Sequence, residues 1–175
     1  MDHSSLLVLD APRLQLIAYT KEMLEAYFRG EPELAALMNI TIPSQWTEFG
    51  DGPFRWTYDQ YTASPLNQQW LAYMPVLKEE RILLGNCGFK GFPDNGMVEI
   101  GYEVAVEYRG KGYATEIAKT LIDHALKQPG ICIVQAHTLA AENESVAVLR
   151  KCGMKKMEEI EDPDDGKIWR WELNK

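Results

Sequence analysis

The chain has 175 residues, 46% of them apolar and 25% charged, the size and balance of one compact soluble domain that needs no disulfide or metal staple. Twenty-six acidic against 18 basic residues leave a net charge of −8, which opposes attraction to nucleic acid or to an anionic membrane and suits a cationic partner such as an amine. Disordered and membrane-spanning classes are thereby set aside.

The apolar run from Leu6 to Leu9 stops at Asp10, too short for a signal sequence, so the expected location is cytoplasmic. Leu14 to Ala18 reads as a first strand, and Thr20 as the N-cap of a helix through about Arg29, stopped by Gly30. Pro32 opens a short second helix over Glu33 to Met38. From Thr41 to Pro65 the chain is aromatic, with Trp46, Phe49, Phe54, Trp56, Tyr58 and Tyr61 broken by Gly50, Gly52 and Pro53, and this segment reads as core or lid packing.

Trp70 to Val76 and Ile82 to Phe89 form two apolar runs about a charged turn, and the turn Pro93-Asp94-Asn95-Gly96 leads into Met97 to Val106. On that third strand, alternation places Val98, Ile100, Tyr102, Val104 and Val106 on one face and Glu99, Gly101, Glu103 and Ala105 on the other. The i, i+3, i+4 spacing of Ala114, Ile117, Ala118, Leu121, Ile122 and Ala125 predicts a helix over 113–127. A near-continuous apolar strand, Ile131 to His137, follows and implies parallel pairing across the helix. Asn143 caps a short helix ending at Gly153, and Lys155 to Ile160 with Lys167 to Leu173 close the chain as a hairpin. Cys87, Cys132 and Cys152 are widely spaced among apolar neighbours, the pattern of buried thiols in a reducing compartment, without metal-ligand spacing. No repeat or linker interrupts residues 1–175, so the expectation is one α/β (α+β mixed) domain, a mixed sheet of about seven strands with flanking helices.

The stretch that carries chemistry is Glu107-Tyr108-Arg109-Gly110-Lys111-Gly112-Tyr113-Ala114, between the end of a strand and the start of the long helix. Its glycines let the turn present amide N–H groups, and the first turn of the helix adds its own unpaired amides and positive dipole end, together an anion site. A P-loop is excluded because Lys111 lies between the glycines with no Ser or Thr after it. The dinucleotide fingerprint fails because Thr115 replaces the third glycine and no acid follows at the ribose position.

Arg109-Gly110-Lys111-Gly112-Tyr113-Ala114 resembles the [Q/R]-x-x-G-x-[G/A] loop of the GNAT acetyltransferases. Glu99-Ile100-Gly101-Tyr102 before it, and Asn143-Glu144-Ser145 and Lys151-Cys152-Gly153-Met154 after it, resemble the RimJ/RimL-like branch of that family, as does Ala11-Pro12-Arg13-Leu14 more loosely.

This resemblance implies a twisted mixed sheet and acetyl transfer from acetyl-CoA to an amine, of a protein N-terminus or a small molecule, without a covalent enzyme intermediate. It implies that the amides of Gly110, Lys111, Gly112, Tyr113 and Ala114 hold the pyrophosphate, with Arg109 and Lys111 charging the rim. Val104, Ala105 and Val106 would hold the pantetheine arm in strand fashion, one amide polarising the thioester. Asn143 would bind the pantetheine or phosphate side, or simply cap its helix. Glu99 takes the position of the general base, with Glu103 and His137 as runners-up. Leu149 stands where many relatives carry a tyrosine acid, so either another donor such as Ser145, Tyr102 or water serves or the thiolate leaves unassisted. A non-catalytic acyl-CoA-binding sensor of the same fold is the alternative, and the sequence does not speak to oligomeric state.

Overall fold

The computed structural model of the chain describes residues 6–175, with one eight-stranded sheet in the order β1-β2-β3-β4-β5-β6-β8-β7. The strands are β1 (Val8–Asp10), β2 (Leu14–Ala18), β3 (Ala72–Leu77), β4 (Gly85–Phe89), β5 (Met97–Val104), β6 (Ile133–Leu139), β7 (Lys155–Asp162) and β8 (Gly166–Asn174). The helices are α1 (Lys21–Arg29), α2 (Glu31–Met38), α3 (Gly52–Ala63), α4 (Tyr113–Lys127) and α5 (Glu144–Lys151). Each neighbouring pair is antiparallel except β5 and β6, which the crossover through α4 makes parallel.

The seven expected strands are present, and β1 is an addition: the short Leu6–Leu9 run pairs along β2, with Val8 opposite Ile17. The expected strand from Ile82 begins only at Gly85, because Ile82 and Leu83 bridge instead to Thr41 and Val76. Much of the aromatic segment is helical, since Pro53 sits in the first turn of α3, where proline is tolerated. Both expected caps form, with Thr20 Oγ1 accepting from the Met23 amide and Asn143 Oδ1 from the Val146 amide.

Two cores cover the two sheet faces. Ile117, Ala118 and Leu121 of α4 and Val146 and Leu149 of α5 pack on one face against Val98, Ile100, Val134 and Ala136. On the other, Met23 and Leu24 of α1, Leu34 and Met38 of α2 and Phe54 of α3 pack against Ile17, Met74 and Val76. The alternation of β5 holds through Ala105, which is buried in the second core on the face of Glu99 and Glu103, and breaks at Val106, which is 59% exposed because the strand gives way to a single tight turn over Val106–Tyr108. The three cysteines also differ from expectation, since Cys87 is buried, Cys152 half-buried and Cys132 exposed. Burial pushes the Cys87 thiol well up and Cys152 up to about 11, which makes both poor nucleophiles.

On the face under α1–α3, Ala72, Gly88 and Gly101 are register partners and form a floor without long side chains. Gly88 has φ +148°, and a Cβ there would lie 2.4 Å from the Leu71 carbonyl oxygen, so backbone would have to move. Gly88→Ala is accordingly expected to cost about 3 kcal/mol, read as a lower urea midpoint with unchanged slope; wild-type stability would show that strands β3 and β4 separate freely here.

Candidate active site

The parallel ladder between β5 and β6 is short. It joins Met97–Glu99 to Ile133–Gln135 and stops, although β5 continues to Val104 and β6 to Leu139. Beyond that point each strand follows its outer neighbour: Ile100–Val104 stays paired with β4 and Ala136–Leu139 with β8. A cleft therefore opens through the sheet between them, at the carboxyl ends of parallel strands, where α/β sheets place ligands. Lys90 donates its amide to the Glu99 carbonyl and Ala105 donates to Leu84, so the odd-numbered positions of β5 face β4. By alternation, the backbone polar groups of Tyr102 and Val104 face the cleft. Of the predicted Val104–Val106 set, Ala105 thus spends its amide on β4, whereas Val104 presents its own to the opening.

The glycine loop stands at the wide end of this cleft. Gly110 and Gly112 adopt φ +73° and +82°, and the N–H groups of Gly110 through Thr115 have no acceptor among the described residues. Six consecutive amides, the last three at the start of α4, converge with the helix dipole into a cradle for an anion. A Cβ on Gly110 would meet nothing within 4 Å, so the space over the loop is open.

The charged side chains around the loop are arranged differently from the sequence expectation. Arg109 turns back, its Nε donating to the Val104 carbonyl at 2.8 Å and its Nη2 to Glu48 at 3.0 Å, so it ties the end of β5 to the 47–49 segment. Lys111 places its ammonium 5.0 Å from the centre of the Tyr108 ring, at the exposed rim. The cation at the back of the loop is Arg13, from the start of β2. Its Nη1 donates to the Lys111 carbonyl, its Nε and its own amide both donate to the Glu116 carboxylate, and the guanidinium stacks on Tyr113 at 4.4 Å. Sequence reading missed this role because Arg13 and Glu116 lie 103 residues apart. Asn143 has its Oδ1 occupied as the α5 cap.

The predicted catalytic groups divide by sheet face. On the α4/α5 face, the Tyr102 hydroxyl lies 3.2 Å from Ser145 Oγ, and burial pushes its phenol up to about 12, so at neutral pH it carries its proton. Leu149 is fully buried in the core and has no part in the cleft. On the opposite face, Glu99 receives Lys90 Nζ at 3.3 Å, Gln135 Nε2 at 3.3 Å and His137 Nδ1 at 3.0 Å. Glu103 shares that face; its oxygens accept from the Thr47 hydroxyl at 2.7 Å and the Glu48 amide at 3.0 Å. Burial pushes the Glu103 carboxyl up, and those hydrogen bonds partly counter it. Glu103 thus anchors the 47–49 segment. Trp56 of α3 and Phe92 lie 6.5 Å apart, both partly exposed.

A separate groove of about 620 Å³ lies on the far side of α4, lined by Asp10, Arg13, Glu116, Lys119, Asp123 and Lys127 among others. Its walls mix both charges, and at one end they include Gly112 and Thr115 of the loop and the start of α4. Among the described residues there is no cluster of His, Cys, Asp and Glu able to hold a metal ion, and no helix long and apolar enough to cross a membrane.

A family model described as the acetyltransferase (GNAT) domain matches residues 13–155. The chain belongs to the GNAT acetyltransferase family. Its sequence is 26% identical to the uncharacterized N-acetyltransferase p20 of Bacillus licheniformis over 72% of this chain and 68% of that one. Its fold is similar to the ribosomal-protein-S5-alanine acetyltransferase of Vibrio fischeri, with a TM-score of 0.70, 15% identity and 96% of each chain covered. The microcin C7 self-immunity acetyltransferase MccE, solved with acetyl-CoA and AMP, gives a TM-score of 0.66 at 14% identity, with 93% of each chain covered. The expected mixed sheet and membership of the GNAT family are thus borne out.

Arg13 and Glu116 should act as a unit on the loop. Arg13→Met and Glu116→Gln are each expected to weaken acetyl-CoA binding about fivefold, and the double variant no more than either alone, a coupling of about 1 kcal/mol. Isothermal titration of the four proteins decides it, and fully additive losses would mean that the pair does not hold the loop.

Proposed function

We propose that this acetyltransferase moves the acetyl group of acetyl-CoA directly to the amine of a protein N-terminus or of a small molecule in the cytoplasm. The observation that carries this reading is the junction of the cleft with the loop: six unpaired amides stand at the mouth of an opening lined by the free edge of β5. Such an edge takes an extended arm as an added strand, through backbone hydrogen bonds. The pyrophosphate of acetyl-CoA then rests on Gly110 to Ala114, and the pantetheine lies along Tyr102 and Val104. The thioester is thereby directed toward the closed end of the cleft. A cleft that passes through the sheet lets the cofactor enter from the α4/α5 face and the amine from the face under α1–α3.

The acceptor side suits a cation. Glu48, Glu99 and Glu103 lie on or over it, in keeping with the net charge of −8. The family relatives include enzymes named for a ribosomal-protein alanine and for microcin immunity, so both acceptor classes stand within this reading.

The thiol side holds a proton donor. With Leu149 in the core, the Tyr102 hydroxyl reaches from β5 to Ser145 and occupies the cofactor side of the cleft. A neutral phenol there can protonate the departing thiolate, with Ser145 relaying the replacement proton. This donor removes the main support for a sensor without turnover, which was the lack of a tyrosine at position 149.

Acetyl-CoA at a hundredfold excess over its dissociation constant should stabilise the protein by about 2.7 kcal/mol, and thiol release should appear on some member of a panel of N-terminal peptides and small amines. Gly112→Glu, which places a carboxylate over the cradle, should abolish the thermal shift in a folded protein. Stabilisation without thiol release on every acceptor would instead support the sensor. For the donor, Tyr102→Phe should lower kcat near the small end of the ~10²- to 10⁴-fold range for general acids, with acetyl-CoA affinity unchanged; an unaltered kcat would leave the thiolate departing unassisted.

A further inference from the structure

We propose that His137 is the general base of the transfer, and that Glu99 is the positioning residue that orients its ring. The inference rests on the reading of the chain as an amine acetyltransferase and names the group that takes the amine's proton.

The last rung of the β5–β6 ladder pairs Glu99 with Gln135, so His137 is the next residue of β6 on the same face, at the closed end of the cleft where the two strands have just parted. Its Nδ1 lies 3.0 Å from Glu99 Oε1, and both side chains are 20% exposed, screened from bulk water but open to a ligand. A carboxylate against Nδ1 selects the tautomer with the proton on that nitrogen and leaves the lone pair on Nε2. Nε2 has no hydrogen-bond partner among the described residues. Glu99 is differently placed. Its two oxygens are already engaged by three groups, hydrogen-bonded to Gln135 Nε2 and His137 Nδ1 and ion-paired with Lys90 Nζ, which suits a residue that holds others in place. Imidazole is also the side chain most often used for proton transfer at neutral pH.

The charged groups that face His137 come from each neighbouring strand. Glu99 stands on β5 with Lys90 beyond it; Asp162, at the end of β7, is coupled electrostatically to both His137 and Lys90. Arg170 is the register partner of His137 on β8, and its charge is engaged by Glu158 and Glu172. In the reaction, His137 Nε2 takes one proton from the ammonium of the acceptor. The freed lone pair forms the C–N bond, the C–S bond breaks, and the second N–H proton ends on sulfur by way of Tyr102. His137 then releases its proton to solvent. The balance is one amide, one thiol and one proton from an ammonium and a thioester.

Two measurements on the full chain test this. The first uses the most active acceptor from the amine and peptide panel. His137→Gln should lower kcat by ~10²- to 10⁴-fold, with acetyl-CoA affinity unchanged, and should flatten the acid limb of the pH profile. In His137→Ala, added imidazole should restore part of the rate in proportion to its free-base form. Glu99→Gln should lower kcat less than His137→Gln and keep an acid limb, because the base remains and only the group that orients its ring is lost. A wild-type profile in His137→Gln, or a limb lost in Glu99→Gln and kept in His137→Gln, overturns the assignment. The second needs no turnover: ring ¹⁵N shifts of His137 should show the Nδ1–H tautomer in the neutral protein and a mixture of the two tautomers in Glu99→Gln. An Nε2–H tautomer contradicts the proposal even if no acceptor reacts, whereas failure of every acceptor with the expected tautomer counts against the transferase reading and leaves the pair intact.

Discussion

The molecule depends on the place where β5 and β6 stop sharing hydrogen bonds. Two parallel neighbours would ordinarily remain paired for as long as both run, since an unpaired edge inside a sheet leaves backbone groups without partners. Here β5 is held along Ile100–Val104 by β4, and β6 along its whole length by β8, so each strand is fixed from its outer side while the inner edges diverge. The opening is therefore built into a rigid scaffold. Preorganisation of this kind lowers the cost of ordering a long flexible arm and places the reacting carbon reproducibly.

Everything functional takes its position from that divergence. The strand that loses its partner ends at Val104, and Arg109 clamps the Val104 carbonyl while the chain turns into the glycine loop. Arg13, stacked on Tyr113 and bonded to Lys111 and Glu116, fixes the loop from behind and leaves its amides facing outward. Because side chains alternate along β5, Tyr102 belongs to the α4/α5 face and Glu99 and Glu103 to the face under α1–α3. In the proposed reaction this sets His137 and Tyr102 on opposite sides of one cleft, the amine approaching from one side and the thiolate leaving toward the other. Assigned pKa directions agree with this division: Tyr102 stays protonated through neutral pH, and burial raises Glu103 even as it anchors a loop.

What the sequence disclosed was local. The i, i+3, i+4 spacing of Ile117, Ala118, Leu121 and Ile122 and the caps at Thr20 and Asn143 each depend on residues a few positions apart, and each formed as read. The addition of β1 escaped notice because three residues carry too little periodicity, and α3 because Gly50, Gly52 and Pro53 look like interruptions when Pro53 in fact lies in a first turn. Alternation correctly separated Glu99 from Ile100 but was carried one residue too far, since nothing in Val104-Ala105-Val106 announces the tight turn that exposes Val106. The contacts that set the site are long in sequence: Arg13 with Glu116, Arg109 with Glu48, and Glu99 with His137. Each could be nominated as a charged residue, but only the sheet order made them neighbours.

The most direct test of the account is a crystal structure with acetyl-CoA bound. The pyrophosphate oxygens should accept hydrogen bonds from amides between Gly110 and Thr115, and the pantetheine should run antiparallel or parallel to β5 with its amides bonded to Tyr102 or Val104. A cofactor seated instead in the groove between β1–β2 and the far side of α4, with the cleft between β5 and β6 empty, would contradict it.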